Sequence, residues 1–214
     1  MKLNLSADEV LATTRAVRKR LDFDKPVERE VIEECLQLAV QAPTGSNSQG
    51  WQWVMVTEAA KKKALADIYK KNFEQYRAMG ASNTYQEGDL RFDQKDRVLS
   101  SADHLTDNFH RVPIIMVPCI AGNLDRVPAF AGASAWGSLL PAVWSFMLAA
   151  RARSLGSCWT TLHLVHDEES RALLGLPDNV MQGALIPVAH LLGGTDFKPG
   201  ARRDLDRVIH HDGW

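Results

Sequence analysis

Cysteine is scarce in this 214-residue chain: there are three, Cys35, Cys119 and Cys158, far apart and irregularly placed. Such spacing fits neither a disulfide framework nor a structural zinc site, and isolated thiols suit a reducing cytoplasm. Charge of one sign is lacking too. Lys and Arg together number 25 and Asp and Glu 26, for a net charge of -1. Without a global basic field, nucleic acid is not an expected partner. Neither Gly-x-Gly-x-x-Gly nor Gly-x-x-x-x-Gly-Lys-Ser/Thr occurs, so a Rossmann fingerprint and a P-loop are both absent. Gly132-Ala133-Ser134-Ala135-Trp136 lacks the second glycine of a nucleophile elbow. Cys158, His163 and His166 are ligand types at a spacing that matches no standard metal set, so no metal is expected. The first six residues lack the apolar core of a secretion signal, and a cytoplasmic location is the expectation.

Long hydrophobic runs are missing but for one. From Val127 to Ala150 no residue is charged, and Arg126 and Arg151 flank the run. That length spans a bilayer. However, Gly132, Ser134, Gly137, Ser138, Pro141 and Ser145 dilute its hydrophobicity. A helix buried on nearly all sides is the better reading. Its small residues admit a second helix at close range, which suits a dimer core as well as a monomer core.

The remaining pattern alternates helices and strands irregularly, with no repeat and no linker, so residues 1–214 are read as one α+β domain. Ser6-x-x-Glu9 has the form of a capping box that opens a helix running to about Arg15. An amphipathic helix is expected over 28–41, a strand over 52–57, a helix over 58–79 and another over 101–110. Residues 80–97 are polar and read as a variable lid. Strands are expected over 112–120, 157–161 and 183–192, a helix over 167–174, and a polar tail from about 195. Within the tail, Val208-Ile209 is a strand candidate.

Three segments carry chemistry. Arg15 and Arg18 are three apart, which places them on one helix face or helix-end turn, where two guanidiniums grip a phosphate. Arg-x-x-Arg is also an ordinary solvated face. The loop Pro43-Thr44-Gly45-Ser46-Asn47-Ser48-Gln49-Gly50-Trp51 offers short donors and acceptors around a flexible glycine. It suits a planar heterocycle with polar edges, and it equally serves as a helix-to-strand connector. Leu155-Gly156-Ser157-Cys158-Trp159-Thr160-Thr161 offers backbone amides and hydroxyls, or simply a helix cap and a core strand.

Taken in order, these segments resemble the FMN-dependent nitroreductase family. The family's Arg-Ser-x-Arg appears here as Arg15-Ala16-Val17-Arg18. Its Pro-Ser/Thr-x-x-Asn-x-Gln-Pro-Trp loop is similar to Pro43–Trp51. Its Gly-Leu-Gly-Ser/Thr turn is similar to Ser154-Leu155-Gly156-Ser157, and its basic tail to Arg202-Arg203-Asp204-Leu205. The resemblance implies a nitroreductase-like fold, with a mixed, mainly antiparallel sheet flanked by helices, in a homodimer with two FMN sites at the interface. It implies that Arg15, Ala16 and Arg18 contact the FMN phosphate or pyrimidine edge and that Arg202 is a second phosphate ligand. Pro43, Thr44, Gly45, Ser46 and Asn47 then come from the partner subunit, and Trp159, Thr160 and Thr161 lie along the isoalloxazine. NAD(P)H is the implied reductant and a planar nitroaromatic or quinone the acceptor, in a ping-pong cycle carried by the flavin. No protein acid, base or nucleophile is implied. Related members dehalogenate iodotyrosine or fragment the flavin, activities that rest on lid residues. A DNA-binding regulator built on residues 6–41 is the alternative of another class, and the charge balance argues against it.

Three departures stand out. Ala16 replaces a serine and its hydroxyl. Thr14 stands where many members carry a further arginine. Gly50 replaces a proline.

Overall fold

In a computed structural model of the chain, residues 2–79, 85, 87–124 and 127–214 are described. Six strands form one sheet: β1 (Leu21–Asp22), β2 (Trp51–Val56), β3 (Ile114–Ala121), β4 (Leu155–Ser157), β5 (Val180–Gln182) and β6 (Ile186–Leu191). The order is β1-β6-β3-β2, with β4 paired to β6 and β5 to β3. All of these pairs are antiparallel. Among the described residues the one parallel contact is an isolated bridge between Ala16 and Ser157, so the sheet is mixed and mainly antiparallel.

The central strand explains the layering. Side chains alternate across a strand. In β3, Ile115, Val117 and Cys119 join one buried cluster, and Ile114, Met116 and Ile120 join the other. The first cluster is roofed by α3 (Ala59–Ala78) through Leu65, Tyr69 and Phe73, and by α4 (Leu90–Asn108) through Leu105. The second is roofed by α2 (Arg29–Ala39) through Ile32, Cys35 and Ala39, and by α5 (Ala129–Ala152) through Leu139, Val143, Phe146 and Met147. A strand apolar on both faces is what a sheet with helices on both sides requires.

Local signals set several ends. Ser6 and Glu9 form the expected reciprocal capping box on α1 (Ala7–Thr13). Helix α6 (Asp167–Leu174) starts with three acidic residues and stops at Gly175, whose φ of 65° is left-handed.

Other expectations are corrected. Helix α1 ends at Thr13, so Arg15 and Arg18 lie in extended chain beyond it and not on a helical turn. Helix α4 begins at Leu90 and takes in the second half of the expected lid. The Asp89 carboxylate accepts from the Arg91 backbone N–H at 2.8 Å and clasps the Arg91 guanidinium at 2.6–3.2 Å, which starts the helix in a polar stretch. Residues 80–84 and 86 of that lid lie outside the described residues. The expected strand over 157–161 sits earlier, as β4. The expected strand over 183–192 is the shorter β6, and β5, just before it, was not expected. Val208-Ile209 follows a short 3-10 turn, Leu205–Arg207, and is not a strand.

Helix α5 is long and apolar enough to cross a membrane, yet one side of it packs on the sheet. It is not buried on nearly all sides. Phe130 is 78% exposed, and Leu140 and Trp144 are each 38% exposed. Gly137 has open space where a Cβ would stand. These positions are seven, three and four residues apart, so they share one helix face and make an apolar stripe in the single chain.

Candidate functional site

The bridge between Ala16 and Ser157 is the joint on which the site is built. Val17 N–H donates to Ser157 O at 2.8 Å. Two segments about 140 residues apart thereby lie side by side, with Arg15 and Arg18 on either side of the bridge and Arg18 near Cys158. The joint is tight. A Cβ on Gly156 would stand 2.8 Å from Leu191 Cδ2, 2.9 Å from Leu21 Cδ2 and 3.0 Å from Val17 Cγ1. Glycine is therefore required there for close packing rather than for a free backbone amide.

Arg15, Ala16 and Arg18 line a cavity of about 320 Å³. Val17, Lys19, Arg20, Arg97, Val98, Ser101 and Phe197 complete it. Its lining holds five cations and no carboxylate. Arg18 donates to Ser101 Oγ at 3.3 Å, and Lys19 to Ser100 Oγ at 2.7 Å. Arg20 is engaged by the carbonyls of Leu192, Gly193, Gly194 and Asp196. Arg15, by contrast, has a buried Nε with no partner. Burial pushes the Arg15 guanidinium below its ordinary value, and Arg202, Arg97 and Arg20 push in the same direction by charge repulsion. Arg15, Arg20 and Arg151 all pack against the Phe197 ring, at 5.4, 4.4 and 5.0 Å from its centre. An unpaired buried donor among like charges is complementary to an anion. A phosphate ester fits the residues present.

Arg202 reaches the same field from a larger neighbouring cavity of about 630 Å³, which it shares with Asp89, Arg91, Arg203 and Arg207. Beyond the bridge, Trp159 packs against the α2/α5 cluster. Thr160 is buried and donates its hydroxyl to Leu185 O at 2.7 Å. Thr161 is exposed. Burial pushes the Cys158 thiol up, with the nearby Arg18 opposing.

The Pro43–Trp51 loop lies elsewhere. Gly45 N–H donates to Ser138 Oγ at 2.9 Å, and a Cβ on Gly45 would overlap Ser134 Oγ. The loop is thus fixed to the first half of α5. Thr44 Oγ1 accepts from Gln49 N–H at 3.1 Å, and Gln49 Nε2 donates to Asn47 Oδ1 at 3.0 Å. Ser46, Asn47 and Gln49 all stand at positive φ, 53°, 53° and 49°. Left-handed backbone at three non-glycine residues marks a tightly constrained loop. Gln49 also gives a reason for Gly50, because a residue preceding proline avoids that conformation. Ser46 and Asn47 are exposed and Pro43 faces outward. Arg151 closes the far end of α5, thirteen residues from Ser138, or about 20 Å along the axis. Within one chain the loop and the arginine cavity are therefore held at opposite parts of the same helix.

Sequence reasoning missed Arg97, Ser101, Arg20 and Phe197. None has a local signature, because only tertiary packing brings α4 and the tail to the Arg15 segment. Asn72 was missed as well: it is 1% exposed, donates to Leu162 O at 2.8 Å and leaves its own Oδ1 unpartnered.

Comparison with known proteins bears on the fold and the family. The nitroreductase family model matches residues 11–190. A putative NADH dehydrogenase/NAD(P)H nitroreductase of Methanothermobacter thermautotrophicus is 25% identical over 96% of this chain and 86% of its own length. A nitrobenzene nitroreductase of Ectopseudomonas oleovorans is 26% identical over 81% of this chain and 82% of its own. The crystal structure of an FMN and NADPH-dependent nitroreductase from Sphigopyxis sp. strain HMH superposes with a TM-score of 0.69. The match covers 98% of this chain and 100% of that one, at 23% identity. With its antiparallel sheet, its roofing helices and a family match over most of its length, the chain belongs to the nitroreductase family.

Proposed function

We propose that this protein is an FMN-dependent oxidoreductase that uses NAD(P)H to reduce a planar nitroaromatic or quinone acceptor. The observation that carries the reading is the cavity with five cations, no carboxylate and a buried, unpaired Arg15 Nε. Arg15 and Arg202 hold the phosphate of FMN, and Ala16 offers backbone beside it. Arg18, at the inner end near Cys158, is the cation for the pyrimidine edge. Its charge there stabilises negative charge that develops on that edge. When bound, FMN supplies the hydride chemistry between the nicotinamide and the acceptor. The chain's own part is to bind, orient and polarise, and no side chain is assigned as acid, base or nucleophile.

The working unit is a homodimer. The apolar stripe of Phe130, Leu140 and Trp144 on α5 supports it, because an exposed stripe of this kind is unusual on a monomer. So does the separation of the Pro43–Asn47 loop from the arginine cavity along α5. Pairing of two α5 helices brings one chain's loop to the other chain's cavity, where Pro43, Thr44, Gly45, Ser46 and Asn47 face the flavin opposite Trp159, Thr160 and Thr161. The three free, buried cysteines support a reducing cytoplasm as its location.

The purified protein is expected to be yellow, to release one FMN per chain on denaturation, and to oxidise NADH or NADPH when nitrobenzene or a quinone is supplied. Faster turnover of a halotyrosine would move the assignment to dehalogenation. A colourless protein that takes up no flavin would refute the reading altogether.

A further inference from the structure

Arg97 enters the cavity from α4, a helix that no flavin-binding motif of this chain includes. It lines the same wall as Arg15, Arg20 and Ser101. The other cations of that wall already have work. Arg18 and Lys19 are tied to Ser101 and Ser100, and Arg20 is clasped by four carbonyls. Arg97 stands in an exposed position, close enough to Arg15 to oppose its charge. Two cations lining one cavity, one of them the partly buried Arg15, repel each other unless an anion lies between them. Position 14 supplies no such charge: Thr14 is buried and donates its hydroxyl to Val10 O at 2.7 Å.

We infer that Arg97 is a phosphate ligand for the flavin cofactor, contributed by α4 and paired across the phosphate with Arg15. This rests on the FMN reading above. It adds that the phosphate is held from three separate places, the segment after α1, the tail and α4, so that α4 is tethered to the cofactor.

The test compares FMN with riboflavin, which keeps the ring and ribityl chain and lacks the phosphate. In the full-length protein, Arg97→Gln is expected to weaken FMN about tenfold, the loss of one charge-assisted hydrogen bond at a half-open site. Riboflavin affinity is expected to stay within about twofold, and Arg97→Lys, which keeps a point charge for the phosphate, to restore most of the FMN affinity. Equal loss for both flavins would make Arg97 structural and overturn the inference, as would unchanged FMN affinity or an effect confined to the KM for NADPH. If the unaltered protein binds neither flavin, the functional reading itself fails.

Discussion

Replacing Arg15 with alanine separates binding from stability. Arg15 has no hydrogen-bond partner at Nε and is surrounded by Arg20, Arg97 and Arg202. Without an anion it contributes little to the fold beyond its contact with Phe197 at 5.4 Å, and such a contact is worth about 0.5–1 kcal/mol. Its removal also relieves charge repulsion. The flavin-free variant is therefore expected to melt within about 2 °C of the flavin-free parent. With FMN the outcome differs. At free FMN of 100 times the parent Kd, binding adds about 2.7 kcal/mol. Losing a charge-assisted hydrogen bond worth about 2 kcal/mol raises Kd roughly thirtyfold. The same FMN then stands at about three times the new Kd and adds only about 0.9 kcal/mol. At about 2–4 °C per kcal/mol, the FMN-induced rise in Tm falls from about 5–11 °C to about 2–4 °C. Calorimetry at fixed protein concentration, with and without FMN, measures both quantities. An undiminished FMN-induced rise would remove Arg15 from the site. A flavin-free variant melting 8 °C or more below the parent, to take a rough threshold, would show that Arg15 holds the fold together rather than the phosphate.

Three further outcomes are expected. Gly156→Ala places a methyl against Leu191, Leu21 and Val17 at 3.0 Å or less; overpacking, less the entropy gained by restricting the unfolded chain, gives a net loss of about 1–2 kcal/mol in a denaturant titration. A variant as stable as the parent would show that the joint relaxes freely. Leu140→Glu puts a charge on the exposed stripe of α5. Dimer association is expected to weaken at least about a hundredfold by sedimentation, with FMN retention lost alongside, because an unpaired charge is costly to bury; a dimer that persists would move the interface elsewhere. His163 is fully buried with both ring nitrogens unpartnered, and burial lowers its pKa from 6.5 to about 3. Above pH 6.5 both states hold a neutral ring. As pH falls from there toward 3, the unfolded chain takes up a proton that the native chain excludes, so native stability declines by up to about 1.4 kcal/mol per pH unit. His163→Leu is expected to flatten this dependence in melts at pH 7.5 and 5.0, and an unchanged slope would place the effect in other groups.

Much of the scaffold was legible in local sequence. The capping box at Ser6, the amphipathic spacing of Ile32, Cys35 and Ala39, the doubly buried β3 and the Gly175 stop each follow from a few neighbouring residues. Helix α4 was not legible over Leu90–Ser100, because its start depends on Asp89 clasping Arg91 in a stretch whose composition reads as loop. The arginine pair was legible as a phosphate grip but not in its setting. Its geometry comes from a bridge to Ser157, not from a helical repeat.

By itself the sequence determined which segments hold polar, phosphate-compatible chemistry and in what order, since those follow from residue type and short spacing. Only the tertiary structure decided how they combine. The Ala16–Ser157 bridge joins two of them, α5 holds the third through Ser138, and α4 brings Arg97 to the cavity of Arg15. The reason is physical. Long-range placement depends on which apolar faces bury together, and no run of neighbouring residues encodes the distance between two arginines that meet across a fold.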